Sequence, residues 1–363
     1  MSGLSILITG GAGFIGSHVI RDILSEKEYN GFKIVVLDDL SGGFQANIPR
    51  HEHVKFIKGS INNAKLVEEL FHAEKFRYVY HLAAYAAEGL SHFIRRFNYK
   101  NNLIGSTNLI NASVNHRAEC FVFTSSIAVY GAGQVPMREE MIPQPEDPYG
   151  IAKYAVELDL KAAYEMFGLN YVIFRPHNVY GEYQNIGDKY RNVVGIFMNQ
   201  ILRNKPITIF GDGTQERAFT YVGDIAPIIA RSALKKEAYS RVFNIGADIP
   251  YSVNTLAEKV AEVMGIPPVL RYIPARREVK LAYSAHHACR AIFGQEVMTP
   301  LEVGLKKMAS WVKQAGSRVS KEFEDIEVLK NMPPSWLRAA AVQRRKKSSR
   351  EAGWATQKFP SGI

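Results

Sequence analysis

Ser126, Tyr149 and Lys153 are the residues of this chain whose types and spacing could do chemistry together. In Tyr149-Gly150-Ile151-Ala152-Lys153 the phenol and the amine are four apart, which puts both on one face of a helix. A free phenol, with a pKa of about 10, is a poor base at neutral pH. A lysine ammonium held beside it stabilises the phenolate and lowers that pKa. The pair then takes a proton from a substrate hydroxyl, or returns one, as a unit. Ser126 follows the apolar run Cys120-Phe121-Val122-Phe123-Thr124. A hydroxyl just past the end of a buried strand is placed to donate to the same substrate oxygen or to help pass its proton. On their own these residues also fit a half-buried helix-start tyrosine and a surface lysine. What precedes them decides between the readings.

The first forty residues supply a site for a redox cofactor. Ser5-Ile6-Leu7-Ile8-Thr9 runs into Gly10-Gly11-Ala12-Gly13-Phe14-Ile15-Gly16, and a second apolar run, Ile34-Val35-Val36-Leu37, ends on Asp38. Strand, glycine turn, helix, strand and acid in that order form the dinucleotide fingerprint. Gly10 is expected to make the tight turn, and Gly13 to let a pyrophosphate approach the positive end of a helix from about Phe14 to Leu24. Gly16 is expected to let that helix pack close to the sheet. Asp38 is expected to accept from the adenosine ribose hydroxyls, and its charge repels a 2′-phosphate, which favours NAD over NADP. With NAD bound, Lys153 is expected to hold the nicotinamide ribose, and the positive nicotinamide ring to assist in lowering the phenol's pKa.

The intervening segments read as the scaffold for these groups. Val54 to Ile57 is a strand and Asn62 to Phe71 a helix. Tyr78 to Ala84 is a buried strand running out into Leu82, Ala83 and Ala84, small enough at its end for a flat cofactor ring to approach. Tyr99 to His116 and Tyr149 to Phe167 carry helical apolar spacing, and Tyr171 to Arg175 is the sixth strand. Alternating strands and helices predict an α/β protein with a Rossmann-type doubly wound parallel sheet, its strand order left open. Beyond Tyr180 the rhythm changes to a smaller mixed α/β lobe that closes over the first. Residues 1–180 are therefore expected to bind NAD and 181–314 to bind the substrate, with some crossing back between them. Residues 315–363 are expected to form a basic C-terminal extension, disordered or loosely docked, with Trp336 and Leu337 able to dock on the body, a solvated stretch from Gln343 to Ser349, and a dense cluster of charge in Arg344, Arg345, Lys346, Lys347 and Arg350.

Composition excludes several classes. Apolar residues make up 47% and charged residues 22%, ordinary values for a soluble globular chain. No apolar stretch approaches the ~18 residues of a spanning helix. The opening Met1-Ser2-Gly3 carries no basic region of the kind that begins a signal peptide, and a cytoplasmic location is the expectation. Cys120 and Cys289 are too few for a disulfide framework or a metal cluster, and no metal is expected. The net charge of +10 suits an anionic small substrate. Dedicated nucleic-acid or membrane binding is not expected, because basic runs are usually wet surface.

The chain resembles the extended short-chain dehydrogenase/reductase family, in the branch that acts on nucleotide sugars. The resemblance runs through most of residues 4–300. It is carried by Thr9 to Gly16, His81-Leu82-Ala83-Ala84, Ser125 to Gly131, the Tyr149/Lys153 pair, Arg175 to Gly181 and Phe210 to Val222. It implies that Phe14, Ile15, Leu82, Ala83, Ala84 and Asn102 lie beside the cofactor. It implies that Asn178 and Asn192 bond the substrate's diphosphate or nearby sugar atoms, and that Arg217 and Arg276 grip the diphosphate, a task that suits arginine's fixed fork. A homodimer through helices of the cofactor half is also implied. Some positions depart from the family pattern. Ser60 stands where an aspartate usually meets the adenine, and Ala218 and Ala285 replace frequent aspartates. The Tyr85-Ala86-Ala87-Glu88-Gly89 loop is unusual and is expected beside the sugar, with Glu88 a candidate sugar ligand.

The residues after Ser126 bear on the reaction. Dehydratases of this branch carry an acid and a base there, whereas this chain has Ile127-Ala128, neither of which transfers a proton. The expected reaction is redox-neutral epimerisation at C4 of a UDP-hexose through a transient 4-keto sugar, with UDP-glucose and UDP-galactose first. A UDP-glucuronate 4-epimerase or decarboxylase, a GDP-mannose-type epimerase and a non-enzymatic NAD-binding scaffold stay open as alternatives.

Overall fold

Apolar runs too short for helices and bounded by turn residues pair most readily as strands of a parallel sheet buried on both faces. In the computed structural model, which describes residues 4–133, 135–276, 279–294, 298–320, 323 and 326–337, seven strands form one such sheet. They are β1 (Ser5–Thr9), β2 (Lys33–Asp38), β3 (Val54–Lys58), β4 (Phe76–His81), β5 (Cys120–Thr124), β6 (Asn170–Pro176) and β7 (Arg241–Ile245). Their spatial order is β7-β6-β5-β4-β1-β2-β3, all pairs parallel. In β1, Ile8 lies opposite Val36 of β2 on one side and Tyr80 of β4 on the other. The winding reverses there, so a crevice opens at the carboxyl ends of β1 and β4. This is a Rossmann-type doubly wound sheet.

The period of two along β1 divides its side chains between two helical layers. Ile6 and Ile8 pack with Val19, Ile20 and Ile225 of the helices Phe14–Ser25 and Val222–Arg231. Leu7 packs with Phe71, Leu109 and Val156 of the helices Ala64–Glu74, Gly105–Asn115 and Pro148–Phe167. The smaller lobe is mixed: Glu216–Ala218 pairs antiparallel with Pro250–Ser252 and parallel with Leu281–Ala282. The helices Val193–Leu202, Val253–Met264 and Leu301–Ala315 pack together behind it.

The structure differs from the sequence reading in the bounds of several elements. β4 stops at His81, and Leu82 to Ala84 leave the sheet beside the turn that follows β1. The second helix starts at Ala64 because the Asn63 side chain caps it, accepting from Leu66 N–H at 3.1 Å. In the smaller lobe a two-residue strand, Thr220–Tyr221, leads straight into the helix Val222–Arg231, which is followed by a short turn, Ser232–Leu234. β7 comes from beyond residue 181, returns to the large sheet and pairs with β6. Among the described residues no helix is long and apolar enough to cross a membrane, and no group of three or more His, Cys, Asp or Glu side chains is placed to hold a metal. The basic run Arg344 to Arg350 lies outside the described residues.

Candidate active site

The turn after β1 is built by close approach. Gly10 donates its N–H to the Leu37 carbonyl at 3.0 Å, and a Cβ there would stand 2.6 Å from Ala83 N. A Cβ on Gly16 would stand 2.3 Å from the Gly10 carbonyl oxygen, so any side chain would push the helix Phe14–Ser25 off the turn. Gly13 precedes that helix and offers no capping side chain, which leaves the first-turn N–H groups available to an anion. At the end of β2, the Asp38 carboxylate accepts from Ala12 N–H at 3.0 Å and Leu40 N–H at 2.8 Å. Burial raises its pKa and these two bonds pull it back. Gly10, Gly13, Phe14, Ile15, Gly16, Asp38, Leu82, Ala83 and Ala84 all line one cavity of about 750 Å³. A glycine cradle that a Cβ would fill, next to a strand-end carboxylate, fits a dinucleotide.

The same cavity reaches Ser126, Tyr149 and Lys153. Asp147 caps the helix Pro148–Phe167 by accepting from Tyr149 N–H at 2.9 Å and Gly150 N–H at 3.0 Å, and so fixes the turn that carries the phenol. Ser126 stands before the turn Ile127–Val129, and its Oγ accepts from Ala128 N–H at 3.1 Å. Lys153 is buried. Its Nζ donates to the Thr124 carbonyl at 2.7 Å and lies 4.6 Å from the Phe123 ring centroid and 5.9 Å from that of Tyr149. Burial brings Lys153 down to about 7, opposed by the carboxylate of Glu157 one turn on. Burial also pushes the Tyr149 phenol up; the Ser126 hydroxyl pulls it back, Asp147 and Glu88 raise it further, and Arg191 lowers it. The phenol thus feels a cation that the sequence reading did not single out.

Behind the site runs a buried polar chain. Glu157 accepts from the Ser125 hydroxyl at 2.5 Å and pairs with Arg175 at 2.5 Å, both side chains of the pair 4% exposed. Arg175 donates to the Tyr130 hydroxyl at 2.7 Å, which donates to Asn244 of β7 at 2.8 Å. The strand end that presents Ser126 is held from below by groups on three elements.

Asn178, Asn192, Arg217 and Arg276 line the other half of the cavity. Asn178 donates to the Ala218 carbonyl at 3.1 Å, and Asn192 precedes the helix Val193–Leu202. The Arg217 guanidinium donates to the carbonyls of Glu216 at 2.8 Å, Lys280 at 3.2 Å and Val279. Arg276 lies 4.6 Å from the Phe210 ring centroid and 5.8 Å from that of Trp336. Asn102, expected beside the cofactor, is buried and is not itself among the cavity's lining residues. Its side chain accepts from Tyr85 N–H at 2.8 Å and donates to the Tyr85 carbonyl at 3.2 Å and to Asn98 at 2.8 Å, so it clamps the Tyr85 loop from behind. Asn101 lines the cavity instead.

Among the lining residues that the sequence reading of the site did not single out, Arg191 and Trp336 bear most on its chemistry. Arg191 pairs with Asp188 at 2.7 Å and lies 4.7 Å from the Tyr85 ring centroid. Its place in an irregular polar loop gave no periodic signal. Trp336 was legible as a docking residue, but not as part of the cavity wall.

A parallel sheet with a glycine cradle at its switch point and a serine, tyrosine and lysine across the crevice defines a dinucleotide-dependent enzyme of the short-chain dehydrogenase/reductase type. The profile of the NAD dependent epimerase/dehydratase family matches residues 6–246, and the chain belongs to that family. The chain is similar to the dTDP-D-glucose 4,6-dehydratase of Dictyostelium discoideum, 33% identical over 71% of this chain and 62% of that one, so it spans less than two thirds of that relative. It is also similar to the UDP-glucose 4-epimerase of Thermotoga maritima, solved with UDP-glucose, at 33% identity and a TM-score of 0.78 over 86% of this chain and 99% of that one. A third likeness is to the UDP-glucuronic acid 4-epimerase of Bacillus cereus, solved with UDP-glucuronic acid and NAD, at 27% identity and a TM-score of 0.78 over 86% and 100% of the two chains.

Proposed function

We propose that this protein holds NAD and epimerises a UDP-hexose at C4 through a transient 4-keto sugar, with UDP-glucose and UDP-galactose as the first pair. The carrying observation is that Tyr149 and Ser126 meet the cavity while the two residues after Ser126 are Ile127 and Ala128, with no proton to give. That supports epimerisation over dehydration. NAD, when bound, supplies the acceptor and donor of the C4 hydride. Gly10, Gly13 and Gly16 would let it approach, Asp38 would accept from its adenosine ribose, and Lys153 would hold its nicotinamide ribose. Tyr149 takes the C4 hydroxyl proton and later returns it, with Ser126 donating to the same oxygen. Asn178, Asn192, Arg217 and Arg276 would anchor the UDP end while the sugar turns, so that binding energy remote from C4 retains the keto sugar. The proposed assembly is a homodimer, supported by the exposed Ile151 (39%) and Leu158 (50%) one heptad apart on the helix Pro148–Phe167.

One observation favours a second reading. Arg191 lines the cavity and its charge favours the Tyr149 phenolate, so it is a cation that a C6 carboxylate would pair with, and UDP-glucuronate is the alternative substrate for the same reaction. Purified protein is incubated with UDP-glucose, UDP-galactose, UDP-glucuronate, their N-acetyl relatives and GDP-mannose, and products are resolved by chromatography and NMR. A C4 epimer without net NADH is the expected product; steady NADH accumulation, or a 4-keto-6-deoxy product, overturns the reading. Tyr149→Phe is expected to lower turnover by about 100-fold or more while bound NAD, released by denaturation and quantified, stays at the unsubstituted protein's level.

A further inference from the structure

After the helix Leu301–Ala315 the chain runs back across the molecule to the substrate half of the cavity, along a segment beyond the residues 6–246 of the family profile. Its route is pinned at successive points. Arg318 and Asn199 exchange two bonds of 2.9 Å, and the Ser320 hydroxyl donates to Asn185 at 2.8 Å. Phe323 packs edge-on to Phe97, centroids 4.7 Å apart, and against Tyr85 at 5.4 Å. The Glu327 carboxylate accepts from Arg96 N–H at 2.8 Å and Phe97 N–H at 2.9 Å, and Glu327 N–H donates to the Phe93 carbonyl at 2.8 Å.

The last described turn of the segment carries Trp336, which is only 4% exposed and yet lines the cavity. Its ring meets Tyr190 edge-on at 5.1 Å, and a Cβ placed on Gly89 would be 3.5 Å from its outer edge. Arg276 lies against two aromatic faces on one side, 4.6 Å from the Phe210 centroid and 5.8 Å from the Trp336 centroid, the two rings meeting edge-on with centroids 6.4 Å apart. A guanidinium resting on two rings loses rotational freedom and keeps its charge at the cavity wall. Without the indole one of those faces is gone, and the Tyr85–Gly89 loop loses its outer support.

We propose that the C-terminal segment is part of the substrate site, with Trp336 a specificity-determining residue that walls the nucleotide-sugar half of the cavity and positions Arg276 for the diphosphate. This deepens the functional reading above and rests on it. The ligand class it selects is a nucleoside diphosphate joined to a sugar small enough for the pocket that the Tyr85–Gly89 loop and the indole wall together.

The test uses the full chain and UDP as the probe, with binding followed by calorimetry and turnover measured on the sugar that the substrate panel identifies. Trp336→Ala is expected to weaken UDP binding and raise KM by about tenfold, with kcat within about twofold and bound NAD unchanged. Trp336→Phe, which restores a ring face, is expected to recover most of that loss. A variant that is merely less well folded would instead lose kcat and NAD together. If Trp336→Ala binds UDP as tightly as the unsubstituted protein, or loses kcat and NAD in proportion, the assignment to Trp336 is overturned while the epimerase reading stands. If the unsubstituted protein binds no UDP at all, the epimerase reading fails first and takes this assignment with it.

Discussion

A buried phenol becomes a base only when neighbouring charge makes its ionised form tolerable. Tyr149 sits between two carboxylates that oppose ionisation, Asp147 and Glu88, and one guanidinium that favours it, Arg191. The phenol must be ionised to take the C4 proton, so turnover should rise with pH through its apparent pKa. Removing Arg191 removes a stabiliser of the phenolate: Arg191→Gln is expected to move that rise to higher pH by about 0.5–1 unit, below the ~1–3 units of a cation in direct contact. Glu88→Gln removes a repelling charge and is expected to move it the opposite way. The check is the pH dependence of kcat/KM for both variants, and shifts of the same sign would contradict the account. Much of this site was legible in the sequence. Ser126, Tyr149 and Lys153 are separated by spacings that one strand end and one helix turn convert directly into proximity. Arg191 was not, because an irregular loop carries no period and only tertiary packing brings it to Tyr85.

At the scale of the element, the start of the helix Pro148–Phe167 has two duties that a pair of substitutions can separate. Asp147 satisfies the N–H groups of Tyr149 and Gly150, and its side chain also accepts from the Ser91 hydroxyl at 3.2 Å. Asp147→Ala removes the cap and is expected to cost about 1 kcal/mol, seen as a lower thermal midpoint, and to lower kcat further because the phenol is two residues away. Asp147→Asn keeps an oxygen acceptor and discards the charge. It is expected to hold the midpoint near that of the parent and to shift the pH profile downward, since Asp147 is one of the groups that raise Tyr149. The glycine turn makes the corresponding case on the cofactor side. Gly16→Ala puts a methyl 2.3 Å from the Gly10 carbonyl, and bound NAD after purification is expected to fall sharply. The elements of the first half were readable because each is an apolar run with its own stop signal. β7 was not, because Arg241–Ile245 carries no mark that separates a strand of the large sheet from one of the smaller lobe; its partner β6 ends 65 residues earlier in the chain, at Pro176.

The whole molecule is joined where the end of β6 meets the smaller lobe, and that junction is built on buried histidine. His177 Nδ1 lies 3.0 Å from the Ala218 carbonyl and its Nε2 3.1 Å from Nε2 of His286, which in turn approaches Asp248 at 2.8 Å. Burial and the neighbouring His286 bring His177 down from the usual 6.5 to about 3. His81, wedged between Thr9 and Ser106, is also pushed down, chiefly by burial. Between about pH 6.5 and 3 the unfolded chain binds a proton at His177 that the folded chain refuses, so stability must fall as the pH falls through that window. Asp248 acts in the same direction but lower. Its bonds to His286 and Arg290 hold its carboxyl at about 2, so its contribution is lost only below its ordinary value of 3.8. The urea midpoint is therefore expected to decline between pH 7.5 and 5, before any carboxylate of this junction titrates. His177→Asn removes the refused proton and is expected to flatten that decline, even where the lost packing lowers the midpoint at pH 7.5. A decline as steep in the variant as in the parent would leave His81 and His18, which burial also pushes down, as the groups responsible, and would place the acid sensitivity away from the junction of the lobes.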